Sequence, residues 1–154
     1  TNWRMTEMQA AIGRIQLKRM SDWTSKRQHN AKMIDGVCKQ FSALRLVSVP
    51  YDVEHAEYKH YVFLNSDYLS NDWNRDRIVE EINSEGVPCF QGTCSEVYLE
   101  KAFDNTGFRP LDRLTNAKLL GETSLMFLVH PTLTECEINK TCNAIKKVMG
   151  RASV

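Results

Sequence analysis

The stretch Thr1–Trp23, TNWRMTEMQAAIGRIQLKRMSDW, governs how the remaining sequence is read. Thr6 followed three residues later by Gln9 has the spacing of a capping box, in which two side chains satisfy backbone N–H groups that a first helical turn leaves unpaired. Around it Met5, Met8, Ile12, Ile15, Arg19/Met20 and Trp23 recur at intervals of three and four, which places them on one face of a helix. After the polar interlude TSKRQHN (24–30), Ala31, Ile34, Val37, Cys38 and Phe41 resume the same period. The spacing predicts either one long helix or two helices meeting at a bend. Gly13 and Gly36 each weaken it by about 1 kcal/mol relative to Ala. Isolated helices are marginal in water, so one of this length must lie against something substantial.

Beyond Phe41 the pattern becomes mixed. LRLVSVP (44–50) alternates like a half-buried strand that Pro50 ends, and HYVFLNS (60–66) is a second strand. DWNRDRIVEEINSEG (72–86) reads as a helix with Trp73, Ile78, Val79 and Ile82 inward and Gly86 as its stop signal. VPCF (87–90) is a short strand leading into the irregular QGTCSE (91–96), and a helical turn is expected over Tyr98 to Phe103. LDRLTNAKLLGE (111–122) is expected to be helical, and SLMFLVH (124–130) is the last strand. The closing helix, LTECEINKTCNAIKKVMG (133–150), starts at a second capping box formed by Thr134 and Glu137. With no internal repeat or low-complexity linker, the sequence predicts an α+β architecture. A long helix precedes about four strands with helices packed on one face.

Composition bounds the function. At 154 residues, 42% hydrophobic and 25% charged, the chain has the make-up of one ordinary globular domain. Its longest apolar run, LMFLV (125–129), is far short of the roughly 20 residues a membrane-spanning helix needs. No signal-peptide pattern is visible, so a cytoplasmic location and no membrane partner are expected. Five cysteines, an odd number without a tight framework, suit reduced thiols. The net charge is only +1, but residues 1–39 carry eight basic against three acidic side chains. That balance is compatible with a nucleic-acid footprint. Basic helix faces are more often solvated or paired, and nucleic acid is not the expected partner.

Candidate chemistry is sparse. Structural zinc favours paired ligands at spacings such as C-x-x-C. Cys89 with Cys94 and Cys136 with Cys142 do not match, and Cys142 falls on an apolar helical stripe, so no metal site is expected. Cys94 in a loop and His130 at a strand end are a thiol and a base that folding would have to bring together for nucleophilic catalysis. Neither G-x-x-x-x-G-K-[ST] nor G-x-G-x-x-G occurs. Asn2, Trp3 and Arg4 stand immediately before a helix N-terminus, whose free N–H groups and dipole favour anions such as phosphate. Spacing alone favours the plainer reading, in which the same three residues cap and staple the helix.

The opening segment, followed by RQHNAK (27–32), resembles the G-x-N-x-R-M-T-E-x-Q-A-A-I-G stretch of the DegT/DnrJ/EryC1/StrS family of pyridoxal-phosphate-dependent sugar aminotransferases. NRDRIVEEINSEGVPCF (74–90) is similar to the family's R-D-x-L-x-x-x-L-x-x-x-G-I segment. LVHPTLTECEINKTCNAIKK (128–147) is similar to its closing P-L-H-P-x-L-T-x-x-E segment, so the likeness runs in order along nearly the whole chain.

The resemblance implies the small domain of a type I aminotransferase: residues 1–41 an interdomain-type helix, 42–154 a small α+β domain with a mainly antiparallel sheet, together one compact unit. It implies that Asn2 reaches the cofactor phosphate of a partner subunit, with Arg4 supporting the loop. The Schiff-base lysine, the aspartate on the pyridine nitrogen and the stacking aromatic belong to a large domain upstream of position 1. No catalytic residue or bound cofactor is therefore expected in this chain by itself; pyridoxal phosphate and a nucleotide sugar belong to the complete enzyme. Where many members carry H-Y-P-x-x-x-H, this chain has CFQGTCSEVYLEKAF (89–103), without either histidine. Gln91, Ser95, Glu96 and Tyr98 are the substrate-binding candidates there. The expected partners are a second copy of the chain or the missing large domain. The alternative is a free-standing assembly or binding module derived from the same domain.

Overall fold

In the computed structural model, residues 3–92 and 94–154 are described, so Asn2 lies outside the described residues. The first capping box forms: Gln9 N–H donates to Thr6 Oγ1 at 3.3 Å, and Thr6 N–H donates to Gln9 Oε1 at 3.0 Å. One helix follows, α1 (Glu7–Cys38), unbroken through the polar interlude.

The two halves of α1 have different environments. The second buries Ala31, Ile34, Val37 and Cys38, and buried Asn30 donates its amide to the carbonyls of Val129 and His130. On the first half Met8 is 78% exposed, Ile12 59% and Ile15 53%. The apolar stripe read there is real as a stripe, but no described residue covers it. Trp3 is 90% exposed, so it does not staple the helix start.

Strands β1 (Leu44–Leu46), β2 (His60–Leu64), β3 (Cys89–Phe90) and β4 (Ser124–Phe127) form an antiparallel sheet in the order β1-β2-β4-β3. The register pairs Leu44 with Leu64, His60 with Phe127, and Cys89 with Phe127. Each strand is shorter than its hydrophobic run because pairing, and not side-chain character, sets its ends. β1 is a ladder only where Val62–Leu64 face it, and residues 47–59 leave the sheet.

Helix α2 (Arg75–Ser84) is capped by Asn74, whose Oδ1 accepts from the Arg77 N–H at 2.9 Å. It ends at Gly86, φ +72°, a left-handed conformation that favours glycine. Lys140 then donates to the Gly86 carbonyl at 2.9 Å, tying that end to α4 (Glu135–Ala152). The second capping box forms as expected: Thr134 N–H donates to Glu137 Oε2 at 2.7 Å and Glu137 N–H to Thr134 Oγ1 at 3.3 Å. Helix α3 (Thr115–Thr123) starts later than the predicted Leu111. There the Leu114 N–H donates to the Tyr98 hydroxyl, and Arg113 is held by Glu96, so residues 111–114 are fixed by the preceding loop.

The core is built from one face of the sheet. Val62, Leu64, Leu125 and Phe127 meet Ile34 of α1, Ile78 and Ile82 of α2, and Ile138, Ile145, Val148 and Met149 of α4, all buried. Burying each such side chain stabilises by about 1.5–3 kcal/mol. Strand alternation sends Tyr61, Phe63, Ser124 and Met126 to the opposite face. No helix among the described residues is long and apolar enough to cross a membrane.

Candidate functional site

The loop after β3 runs back across that opposite face and is fixed there by its backbone. The Ser124 hydroxyl of β4 donates to the Gln91 carbonyl. Gly92 follows at φ +91°, and a Cβ built on it would stand 2.9 Å from Cε1 of Tyr61 and 3.1 Å from Oγ of Ser124. A side chain there would be excluded both by the conformation and by the β2–β4 surface beneath. At Gly121 a Cβ would collide with Ser95 Oγ, so α3 also approaches the loop where it has no side chain.

Side chains complete the frame. Gln91 Nε2 donates to Asp76 Oδ1 at 2.9 Å, and the same oxygen accepts from Arg75 Nε at 2.6 Å. Arg75 Nη1 donates to the Gly121 carbonyl at 2.7 Å, so the start of α2, the loop and the end of α3 form one network. Glu96 receives a two-pronged contact from Arg113, Nε to Oε1 at 2.8 Å and Nη2 to Oε2 at 2.5 Å. The Tyr98 hydroxyl donates to Glu96 Oε1 at 2.6 Å. These hydrogen bonds from Arg113 and Tyr98 hold the Glu96 carboxyl below the ordinary carboxylate range. Partial burial, then the Glu96 hydrogen bond, push the Tyr98 phenol up. Arg109 adds Nε to the Tyr98 carbonyl at 2.9 Å and Nη2 to the Leu99 carbonyl at 3.0 Å.

A groove of about 600 Å³ results, with Arg75, Gln91, Ser95, Glu96, Lys101 and Lys118 among its walls. The four candidates therefore fall in one region and divide by geometry. Glu96 and Tyr98 spend their polar atoms on the frame, whereas Ser95 and Lys101 have no hydrogen-bond or ion-pair partner among the described residues. Arg75, Lys101 and Lys118 give the groove three cationic groups, set against Glu96, Glu100 and Glu122 in the same walls. Sequence reasoning missed Arg75, Asp76, Arg113 and Gly121. Their partners are distant in sequence, and only Gly121, a glycine inside a helical pattern, carried any local signal.

The other sequence candidates separate. The Cys94 thiol donates to Glu100 Oε1 at 3.3 Å, while His130 Nδ1 bonds Thr132 Oγ1 at 2.7 Å, so the thiol and imidazole do not form a pair. Cys89 is buried and Cys94 exposed, and no group of three or more His, Cys, Asp or Glu among the described residues could hold a metal ion. Arg4 is exposed just before the Thr6 cap.

The described residues do not assemble a pyridoxal-phosphate ring site. Lys101 and Lys118 open on a groove without an aromatic ring among its walls. Lys59 lines an aromatic cavity, but the Asp35 carboxylate there is taken up by His60 Nε2 at 2.9 Å and is not open to a pyridine nitrogen.

The profile of the DegT/DnrJ/EryC1/StrS aminotransferase family matches residues 1–146. A solved aminotransferase from Psychrobacter cryohalolentis superposes with a TM-score of 0.92 at 59% identity, over 97% of this chain and 40% of that one. DesV of S. venezuelae, solved in complex with a ketimine intermediate, gives 0.83 at 21% identity over 98% of this chain and 38% of its own. An uncharacterised protein of Methanocaldococcus jannaschii is 25% identical over 96% of this chain and 38% of its own length. The chain thus spans about two fifths of the relatives it matches. The helix-first α+β fold, the sequence profile and the superpositions agree: the chain belongs to the DegT/DnrJ/EryC1/StrS aminotransferase family.

Proposed function

We propose that this chain is the C-terminal part of a pyridoxal-phosphate-dependent aminotransferase that moves an amino group from glutamate to a keto-sugar carried on a nucleotide. The observation that carries this reading is the family match over residues 1–146 in a chain that spans only two fifths of its relatives. The cofactor supplies the electron sink for amino transfer and belongs to the complete enzyme. This chain contributes in two places. Asn2, with Arg4 beside it, binds the cofactor phosphate of the partner subunit. The groove over Gln91–Tyr98 holds the substrate: Ser95 and Gln91 meet sugar hydroxyls, Lys101 and Lys118 face the diphosphate, and the Glu96–Arg113–Tyr98 frame keeps the loop in shape.

The test compares the complete gene product with residues 1–154 alone, each given pyridoxal phosphate, glutamate and a keto-sugar nucleotide. Turnover is expected only from the complete protein, and turnover by the isolated chain overturns the division of labour. In the complete protein, Asn2→Ala should weaken cofactor retention by roughly tenfold, the loss of about one charge-assisted hydrogen bond.

A second reading is favoured by one observation, the uncovered apolar stripe of α1. In it the domain serves assembly, and the stripe is the face through which copies join.

A further inference from the structure

Residues 47–59, between β1 and β2, form a strap outside any helix or strand, and not one of them is buried. A segment that puts no side chain into the core has little apolar burial to hold it, so its polar ties decide where it lies. One tie comes from α1, where Gln28 donates Nε2 to the His55 carbonyl at 3.0 Å. Another runs through His60, the buried first residue of β2.

His60 has a carboxylate at each ring nitrogen. Nε2 lies 2.9 Å from Asp35 Oδ1 of α1, and Nδ1 lies 3.3 Å from Glu57 Oε2 of the strap. Ionised carboxylates only accept, whereas a neutral imidazole donates from one nitrogen alone. Both bonds therefore stand together only while the ring carries a proton on each nitrogen. Glu57 is held at φ +48°, a left-handed backbone that strains a residue with a side chain and persists where contacts over-determine it.

The other charged and titratable neighbours surround this cluster without replacing it. Glu57 Oε1 lies 3.0 Å from Nδ1 of half-exposed His55, and that nitrogen is also 3.3 Å from the Glu57 N–H. Neutral His55 can accept from the backbone there, and protonated His55 can donate to the carboxylate. Lys59 lines the cavity beside His60, and Lys32, Asp52 and Glu54 border Asp35 and Glu57 on the outer side. Buried Cys38, close to Asp35, is a neutral thiol, pushed up to about 12 chiefly by desolvation. From β4, Phe127 stands opposite His60 in the register.

We propose that His60 is a proton-dependent clasp: doubly protonated, it ties the strap to α1 and β2, and on losing one proton it lets Glu57 go. Glu57 gives way before Asp35, because its bond is the longer and its backbone is strained in the tied position. The strap loosens as pH rises and is tied again as pH falls. Its release opens a cavity of about 570 Å³ that Val47, Val49 and Tyr58 of the strap enclose against Tyr61 and Phe63 of β2.

The experiment is limited digestion of the complete protein with proteinase K from about pH 5 to pH 9, which brackets the range in which histidine ordinarily changes charge. Cuts within 47–59 are mapped by mass spectrometry, and each rate is divided by that of a free peptide of the same sequence at the same pH. Such nicking follows the population of the opened segment. It should rise about tenfold with pH in the native protein, the loss of one charge-assisted hydrogen bond. His60→Gln should be nicked fast at every pH, and His55→Gln should keep the native step. A native rate that does not change with pH overturns the clasp, as does a step that survives in folded His60→Gln or vanishes in His55→Gln. If circular dichroism shows that His60→Gln has not folded, Glu57→Gln decides, since it alters only the exposed strap. Loss of the step in that variant supports the clasp, and its persistence overturns it.

Discussion

Cys94 shows how a single contact sets reactivity in the groove loop. Its thiol donates to Glu100 Oε1, and that hydrogen bond, then desolvation, push the thiol above its ordinary range. The nucleophile is the thiolate, so a raised pKa means less thiolate at any pH below it and slower alkylation. Cys94 should react with iodoacetamide more slowly at pH 8 than a free thiol, with its rate still rising well above the ordinary thiol range. Glu100→Gln removes the charge that favours the neutral thiol, moves that midpoint down and speeds the reaction. Peptide mapping of the alkylated protein reads this out, and equal rates in both proteins would refute it. Cys38 and Cys89, pushed up to about 12 chiefly by burial, should stay unlabelled while the protein is folded.

At the scale of elements, caps are local and packing is not. Both capping boxes were legible because each needs only two side chains three residues apart, and both formed. Thr134→Ala should cost about 1 kcal/mol of stability, since Thr134 satisfies the Glu137 N–H and helps hold the Glu137 carboxyl below the ordinary carboxylate range. Denaturant titration at neutral pH measures this. An unchanged midpoint would mean that α4 is held by its buried face alone. Helix α3 starts after the predicted Leu111 although Leu111 and Leu114 keep a helical spacing, because no local pattern announces that Leu114 N–H will bond Tyr98, sixteen positions away. The frame around the candidate site is illegible in the sequence for the same reason. Gln91 and Ser95 could be named from the family resemblance. Ser124 lies thirty-three positions from Gln91 and Arg75 forty-six from Gly121, and such pairings are fixed only when the sheet and helices pack.

At the scale of the whole molecule, α1 reads as one amphipathic helix and behaves as two, because periodicity reports which residues share a face and is silent on what covers it. Ile34 is fully buried against the sheet, whereas Ile12, on the same helix, is 59% exposed. In the isolated chain these residues should respond oppositely to substitution. Ile34→Ala removes core contacts and leaves a cavity, a loss of about 2–5 kcal/mol. Ile12→Lys exchanges one exposed side chain for another and should change stability by less than about 0.5 kcal/mol. In the complete protein the proposed function needs the first turns of α1 near a partner subunit, because it has Asn2 bind the partner's cofactor. Ile12→Lys, together with Ile15→Lys, should then leave each subunit folded but shift sedimentation toward the monomer and weaken cofactor retention in step. A folded double variant that sediments as native protein would show that the stripe is not the joining face, whatever covers it.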